Sequence, residues 1–229
     1  MHISGSGHIP AGEYNDKISI SGSGRLDGNI RCTSLSVSGS AHCAGDLACT
    51  EDIRVSGSGH FGGSVTSTDM EVSGSASVGG NVKCGVLHCA GSIRVEKGLE
   101  AEEFRSAGMI RCGELLNAET VDVVVEQNSH SEVGSIGGGE IRIHRREKNR
   151  TEKRRQPLLA RLLGGHSTDG SLTVSELVEG DVVALECVKA PTVVGRVVAI
   201  GAGCEIGLVQ YTEECEIHPD AKVEHCEKI

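Results

Sequence analysis

The feature that most restricts this chain is a short motif that returns at a fixed interval. It reads ISGSG from Ile3 and Ile20, VSGSA from Val37, VSGSG from Val55, VSGSA from Val72 and CAGSI from Cys89, and weakens to SAGMI from Ser106. Its central glycines, Gly5, Gly22, Gly39, Gly57, Gly74, Gly91 and Gly108, are 17, 17, 18, 17, 17 and 17 residues apart. A unit this short cannot bury its own apolar face, so it is stable only when stacked on neighbours of the same shape.

Aligning the units shows what faces inward. Four residues before each glycine stand Ile18, Leu35, Ile53, Met70, Leu87 and Phe104; four after stand Ile9, Leu26, Cys43, Phe61, Val78, Val95 and Cys112. Eight after come Ile30, Leu47, Val65, Val82, Leu99 and Leu116, and ten after come Cys32, Cys49, Ser67, Cys84, Ala101 and Ala118. Their sequence neighbours are polar, which is the period-two alternation of short strands with one buried face. A second glycine column, Gly28, Gly45, Gly63 and Gly80, marks a corner where positive φ is expected. The pattern predicts an all-β fold, a parallel β-helix of 17 to 18 residues per coil. The 17-residue step breaks the six-residue phase of left-handed forms, so the expected hand is right.

Composition agrees: aromatics are 2% of the chain, Trp is absent and Gly numbers 32, while Val, Ile, Leu, Ala and Cys fill the 38% hydrophobic fraction. Such small side chains suit layers better than a globular centre. No stretch approaches the roughly 20 apolar residues of a membrane span, and MHISGSG lacks the marks of a signal peptide, so a cytoplasmic location is expected. The ten cysteines have no CxxC pair and are read as reduced, buried, small apolar residues.

With its SGS-rich, glycine-cornered coils the chain resembles the bactofilins, polymer-forming bacterial cytoskeletal proteins. The likeness is clear over 1–125 and resumes from Leu172 to Val223, where Gly180-Asp181-Val182 and Gly195-Arg196-Val197 again look like corners. The resemblance implies a nucleotide-independent filament of β-helices stacked end to end, a scaffold at the membrane for cell shape, motility or placement of other machinery. It implies association with further copies or with a related bactofilin. Two departures stand out: Met1 enters the first repeat almost directly, where relatives carry a tail, and no Phe follows Phe104, where many relatives have one near the last coil.

Three segments are expected: coils over 1–143, a basic insertion over 144–166 and further coils over 167–229. From Arg142 to Arg155 eight basic residues face two acidic ones, a local +6 in a chain of net charge −10. Arg145, Arg146, Lys148, Arg150, Lys153, Arg154 and Arg155 are followed by Leu158, Leu159, Leu162 and Leu163, spaced to share one face of a short helix after Pro157. This segment reads either as a solvated loop or as a contact for a partner or an anionic membrane surface. Nucleic acid is disfavoured by the acidic balance and the scarcity of stacking aromatics.

An outward ladder, His8, Arg25, His42, His60, Ser77, Arg94 and Arg111, stands three residues after the corner glycines but lacks a metal-ligand set. Asp52 and Asp69 share a column with Lys17, Ser34, Val86 and Glu103, a poor match to a carbohydrate-cleaving groove, and no GxSxG, HExxH or GxxxxGKS occurs. No cofactor and no catalytic residue is expected. The reading is a self-assembling scaffold whose contacts are the ends of the helix: Ile3 and Ile9 at an uncapped first coil, and Ile206, Val209, Tyr211 and Ile217 at the other end, partly capped by AKVEHCEKI. The alternatives are a non-polymerising solenoid adaptor and, more remotely, a carbohydrate-active β-helix enzyme.

Overall fold

The computed structural model describes residues 1–146 and 170–229, and all regular structure among them is strand. One 23-stranded sheet, from β1 (His2–Ile3) to β23 (Lys222–Lys228), winds as a parallel β-solenoid of about 12 turns among the described residues. Within the repeat region a coil is three short strands, as in Leu35–Val37, Ser40–Cys43 and Leu47–Cys49. Each strand alternates buried and exposed residues because the pleat turns every second side chain to the axis.

The inward columns lie where the repeat places them. Ile18, Leu35, Ile53, Leu87 and Phe104 are fully enclosed, as are Ile9, Leu26, Cys43 and Phe61, while Ala101 is partly covered. Fully burying a Leu or Ile contributes about 2 kcal/mol, so the stack is held by many modest gains. A further inward column, two residues after the glycines, escaped the sequence reading because its members are small: Gly24, Ala41, Gly59 and Ala76 precede Ile93 and Ile110. A Cβ on Gly24 would lie 2.7 Å from Ile20 Cδ1, and one on Gly59 would lie 2.9 Å from a ring carbon of Phe61. The large neighbours occupy the space these glycines leave.

The two glycine columns serve close approach between coils. At the SGS corner the carbonyl of one glycine points at the Cα of the next: a Cβ on Gly57 would lie 2.0 Å from Gly39 O, and one on Gly74 would lie 2.1 Å from Gly57 O. That carbonyl accepts a hydrogen bond from the following serine, Ser58 N to Gly39 O at 2.8 Å. At the second corner positive φ is confined to Gly28, correcting the expectation for Gly45, Gly63 and Gly80. There a polar side chain crosses between coils: Asp46 N–H donates to Asn29 Oδ1 (2.9 Å), Ser64 N–H to Asp46 Oδ1 (2.8 Å), Asn81 N–H to Ser64 Oγ (3.2 Å) and Gly98 N–H to Asn81 Oδ1 (3.0 Å). Glycine leaves room for these acceptors, since a Cβ on Gly45 would lie 2.2 Å from Asn29 Oδ1.

After Leu116 the coils change length, and the pairing shifts once between Gly195 and Val197, yet the inward column stays aligned. Leu116 faces Ile136, Ile136 faces Val178, Val178 faces Val193 and Val193 faces Val209. The chain between Arg145 and Ser171, where one strand ends and the next begins, is therefore inserted between two adjacent coils that still pair directly, as His130 opposite Ser171 shows.

Candidate assembly surfaces

Surfaces that could bind another molecule are the two end coils, the outer ladder and the neighbourhood of the insertion. At the first coil, strands His2–Ile3 and Ser6–Glu13 pair on one side with Ile18–Ile20 and Ser23–Cys32. Their other edge carries backbone groups with no strand partner in the described structure. Ile3 is partly buried and Ile9 fully buried, so Ile9 belongs to the core and not to the end face. Tyr14, in the turn after Glu13, packs against the core, and its hydroxyl donates to Pro10 O at 2.7 Å. Tyr14 lies outside the repeat motif, so no periodic signal announces this contact.

At the opposite end the charged segment AKVEHCEKI supplies strand Lys222–Lys228, which pairs with Glu205–Ile217. Ile206 and Val209 are buried beneath it, opposite Val223 and Cys226, so the end face is made instead by the later residues. Tyr211 is partly buried, and Ile217 is 39% exposed. The strand is clamped by charge: the Glu205 carboxylate lies 2.9 Å from Lys189 Nζ and 3.3 Å from Lys222 Nζ, linking three successive coils. The hydrogen bond from Lys189, then that from Lys222, holds the Glu205 pKa below the ordinary carboxylate value.

The outer ladder has the expected register: His8 faces Arg25, Arg25 faces His42, His42 faces His60, His60 faces Ser77, Ser77 faces Arg94 and Arg94 faces Arg111. The His42 and His60 rings stack with centroids 4.9 Å apart, and His60 Nδ1 lies 2.6 Å from Ser77 Oγ. Hydrogen bonds from His8, then Arg25, keep the Asp27 carboxyl below its usual pKa. No group of three metal-ligating side chains occurs among the described residues. Asp52 and Asp69 are register neighbours as read, and Asp52 is engaged by Arg54 at 2.6 Å.

At the insertion, Arg146 pairs with Glu126 at 2.5 Å, and the Arg145 guanidinium donates to Cys187 Sγ at 3.2 and 2.8 Å. Lys148, Arg150, Lys153, Arg154, Arg155, Leu158, Leu159, Leu162 and Leu163, with the helix expected there, lie outside the described residues. Among the described residues no helix is long and apolar enough to cross a membrane.

All ten cysteines are free. Burial pushes the thiols of Cys84 up to about 12 and of Cys89 and Cys204 up to about 11. Cys215 and Cys226 depart from the buried pattern, being half-buried and exposed, because no further coil of the structure covers them.

Residues 1–83 match the family model Bactofilin, described as polymer-forming cytoskeletal. A 99-residue stretch is 33% identical to the uncharacterized protein YhbF of Bacillus subtilis (strain 168), covering 43% of this chain and 35% of that one. A 55-residue stretch is 44% identical to the uncharacterized protein YhbE of the same organism, covering 24% of this chain and 23% of that one. The chain thus spans about a third or less of the curated relatives it matches. No solved structure matches it.

Proposed function

We propose that this protein, bactofilin-like over residues 1–83, is a scaffold that self-associates through the end coils of its solenoid into nucleotide-independent filaments. The observation that carries the reading is the continuous parallel stack, whose first and last described coils each present a strand edge that pairs with no other described strand. An unpaired edge of this kind is a template for another strand, and a second copy offers a matching one. Pairing of like ends gives a filament without polarity. The scaffold reading needs no catalytic group, and the outward carboxylates already serve ion pairs along the coils.

Sedimentation tests this with end-face substitutions that spare the core. Because Ile9 is fully buried, the informative changes are Ile3→Lys and Ile217→Lys. Each should leave the circular dichroism intact and shift the protein from a pelleting assembly to a small species; assemblies unchanged by both would remove the ends as contacts. The adaptor alternative expects a monomer in every case.

The basic insertion is proposed as the attachment to an anionic lipid surface, on the strength of its local charge and the four leucines after Pro157. Deleting residues 147–163 should abolish binding to phosphatidylserine vesicles while the solenoid stays folded. Equal binding by the intact and deleted proteins would reject attachment through this segment.

A further inference from the structure

Two core columns can be followed through the whole stack, and each ends in a cysteine. One runs Ile30, Leu47, Val65, Val82, Leu99 and Leu116, and continues through Ile136, Val178, Val193 and Val209 to Cys226. The other runs Ile18, Leu35, Ile53, Met70, Leu87 and Phe104, and continues through Val121, Ile141, Val183 and Val198 to Cys215. These columns line two different walls. Their last members point toward the axis from both sides, and the two sulfurs meet 3.7 Å apart.

We propose that Cys215 and Cys226 form a thiol–disulfide exchange site that a small disulfide or an oxidoreductase converts to a covalent brace across the last coil. The position gives each thiol a separate role. Cys226 is exposed and meets the reagent, whereas Cys215 is half-covered and meets Cys226. The Cys226 thiolate attacks a small disulfide RSSR, one RS⁻ leaves, and a mixed disulfide remains on Cys226. The Cys215 thiolate then attacks the Cys226 sulfur and expels the second RS⁻. Two protein S–H bonds and the S–S bond of the reagent are broken; one protein S–S bond and two RSH are formed. Burial, followed by the hydrogen bond to Cys226, pushes the Cys215 thiol up to about 11, so exchange speeds as pH rises.

Access separates this pair from the other thiols in contact. Cys32 and Cys49 face each other at 3.4 Å in the same wall, but they are 2% and 5% exposed and lie inside the stack. A reagent reaches them only after the coils separate. The brace closes the loop from residue 215 to 226, tying strand Lys222–Lys228 to the opposite wall of its coil. Closing a loop of this size removes freedom from the opened state worth about a hundredfold in its population.

The test exposes the purified, reduced protein to oxidised glutathione near pH 8 and counts the remaining thiols by alkylation and mass spectrometry. The expected result is loss of two of the ten thiols, one disulfide joining the peptides that hold Cys215 and Cys226, no glutathione retained, and an unchanged molecular mass per chain on non-reducing gels. Cys215→Ser should instead hold one glutathione on Cys226, and Cys226→Ser should take none at Cys215. Hydrogen exchange across Lys222–Lys228 should slow about a hundredfold on oxidation and recover with dithiothreitol. Retention of all ten thiols, a disulfide between two chains, glutathione left on both cysteines, or a first reaction at Cys32 and Cys49 would each overturn the proposal.

Discussion

The two halves of the solenoid solve the same stacking problem by different means. From Ile18 to Val95 the strands are two to four residues long apart from Ser23–Cys32, and sharp corners separate them. Those corners are set by glycines under a carbonyl and by the crossing Asn29, Asp46, Ser64 and Asn81 side chains. After Met109 the strands lengthen to 17 residues in Met109–Val125, 16 in His130–Arg145 and 13 in Val188–Ile200, bending without a break at each corner. What passes unchanged between the halves is the set of inward Val, Ile and Leu columns. The comparison teaches that apolar register holds the stack, while the corner chemistry decides how uniform a coil must be. The first half keeps to steps of 17 or 18 residues; the second tolerates an insertion of more than twenty residues between paired coils.

The largest test of that view places a charge in each half. Val65→Asp and Val193→Asp both put a carboxylate in the same column, at positions 1% and 0% exposed. Each should cost more than ~4 kcal/mol and abolish a single cooperative melt. If Val193→Asp melts one half and leaves the other intact, the halves are separate folding units despite their shared register.

The corners differ more subtly. Gly74→Ala drives a methyl to within 2.1 Å of Gly57 O and should cost roughly 3 kcal/mol. Gly195→Ala meets Val198 Cγ2 at 2.9 Å and Gly180 O at 3.0 Å, contacts that a small shift relieves, so about 1 kcal/mol is expected. Urea denaturation of the two variants reads the difference directly, and equal losses would mean that the looser half has no spare room.

Next in size is the polar ladder peculiar to the first half. Asp46→Ala leaves the Ser64 N–H without its acceptor and should lose about 1 kcal/mol, whereas Asp46→Asn keeps an amide oxygen there and should lose less. Equal losses would assign the effect to the charge of Asp46 and not to its hydrogen bond.

The smallest effect is the pH dependence of the Lys189–Glu205–Lys222 clamp in the second half. Glu205 has a lowered pKa in the folded protein, so its contribution is present above the ordinary glutamate value and is lost as pH falls through the lower folded value. The stability gap between the unmodified protein and Glu205→Gln should close over that acidic window. A gap that persists below it would show that the clamp works through packing.

How much of this was legible follows from the same contrast. The glycine period gave each residue from Ile3 to Leu116 a coil position, which is why the columns and the His8-to-Arg111 ladder read correctly. Small residues such as Gly24 and Ala41 hid one inward column, because they have no hydropathy to stand out. Asn29, Asp46, Ser64 and Asn81 also recur seven residues after a corner glycine, so that ladder was present in the alignment as a polar column. Tyr14 was not legible, because it lies outside the motif; AKVEHCEKI was legible as a partial cap but not as a paired strand, because Lys222–Lys228 is apolar only at Val223 and Cys226. Without a glycine marker near Glu213–Ile217, nothing in the sequence aligned Cys215 with Cys226.

The most direct test of the central claim is negative-stain microscopy of the purified full chain at neutral pH without nucleotide. The account expects unbranched filaments one solenoid wide, lengthening with protein concentration. A field of single rods no longer than one chain at every concentration would contradict it.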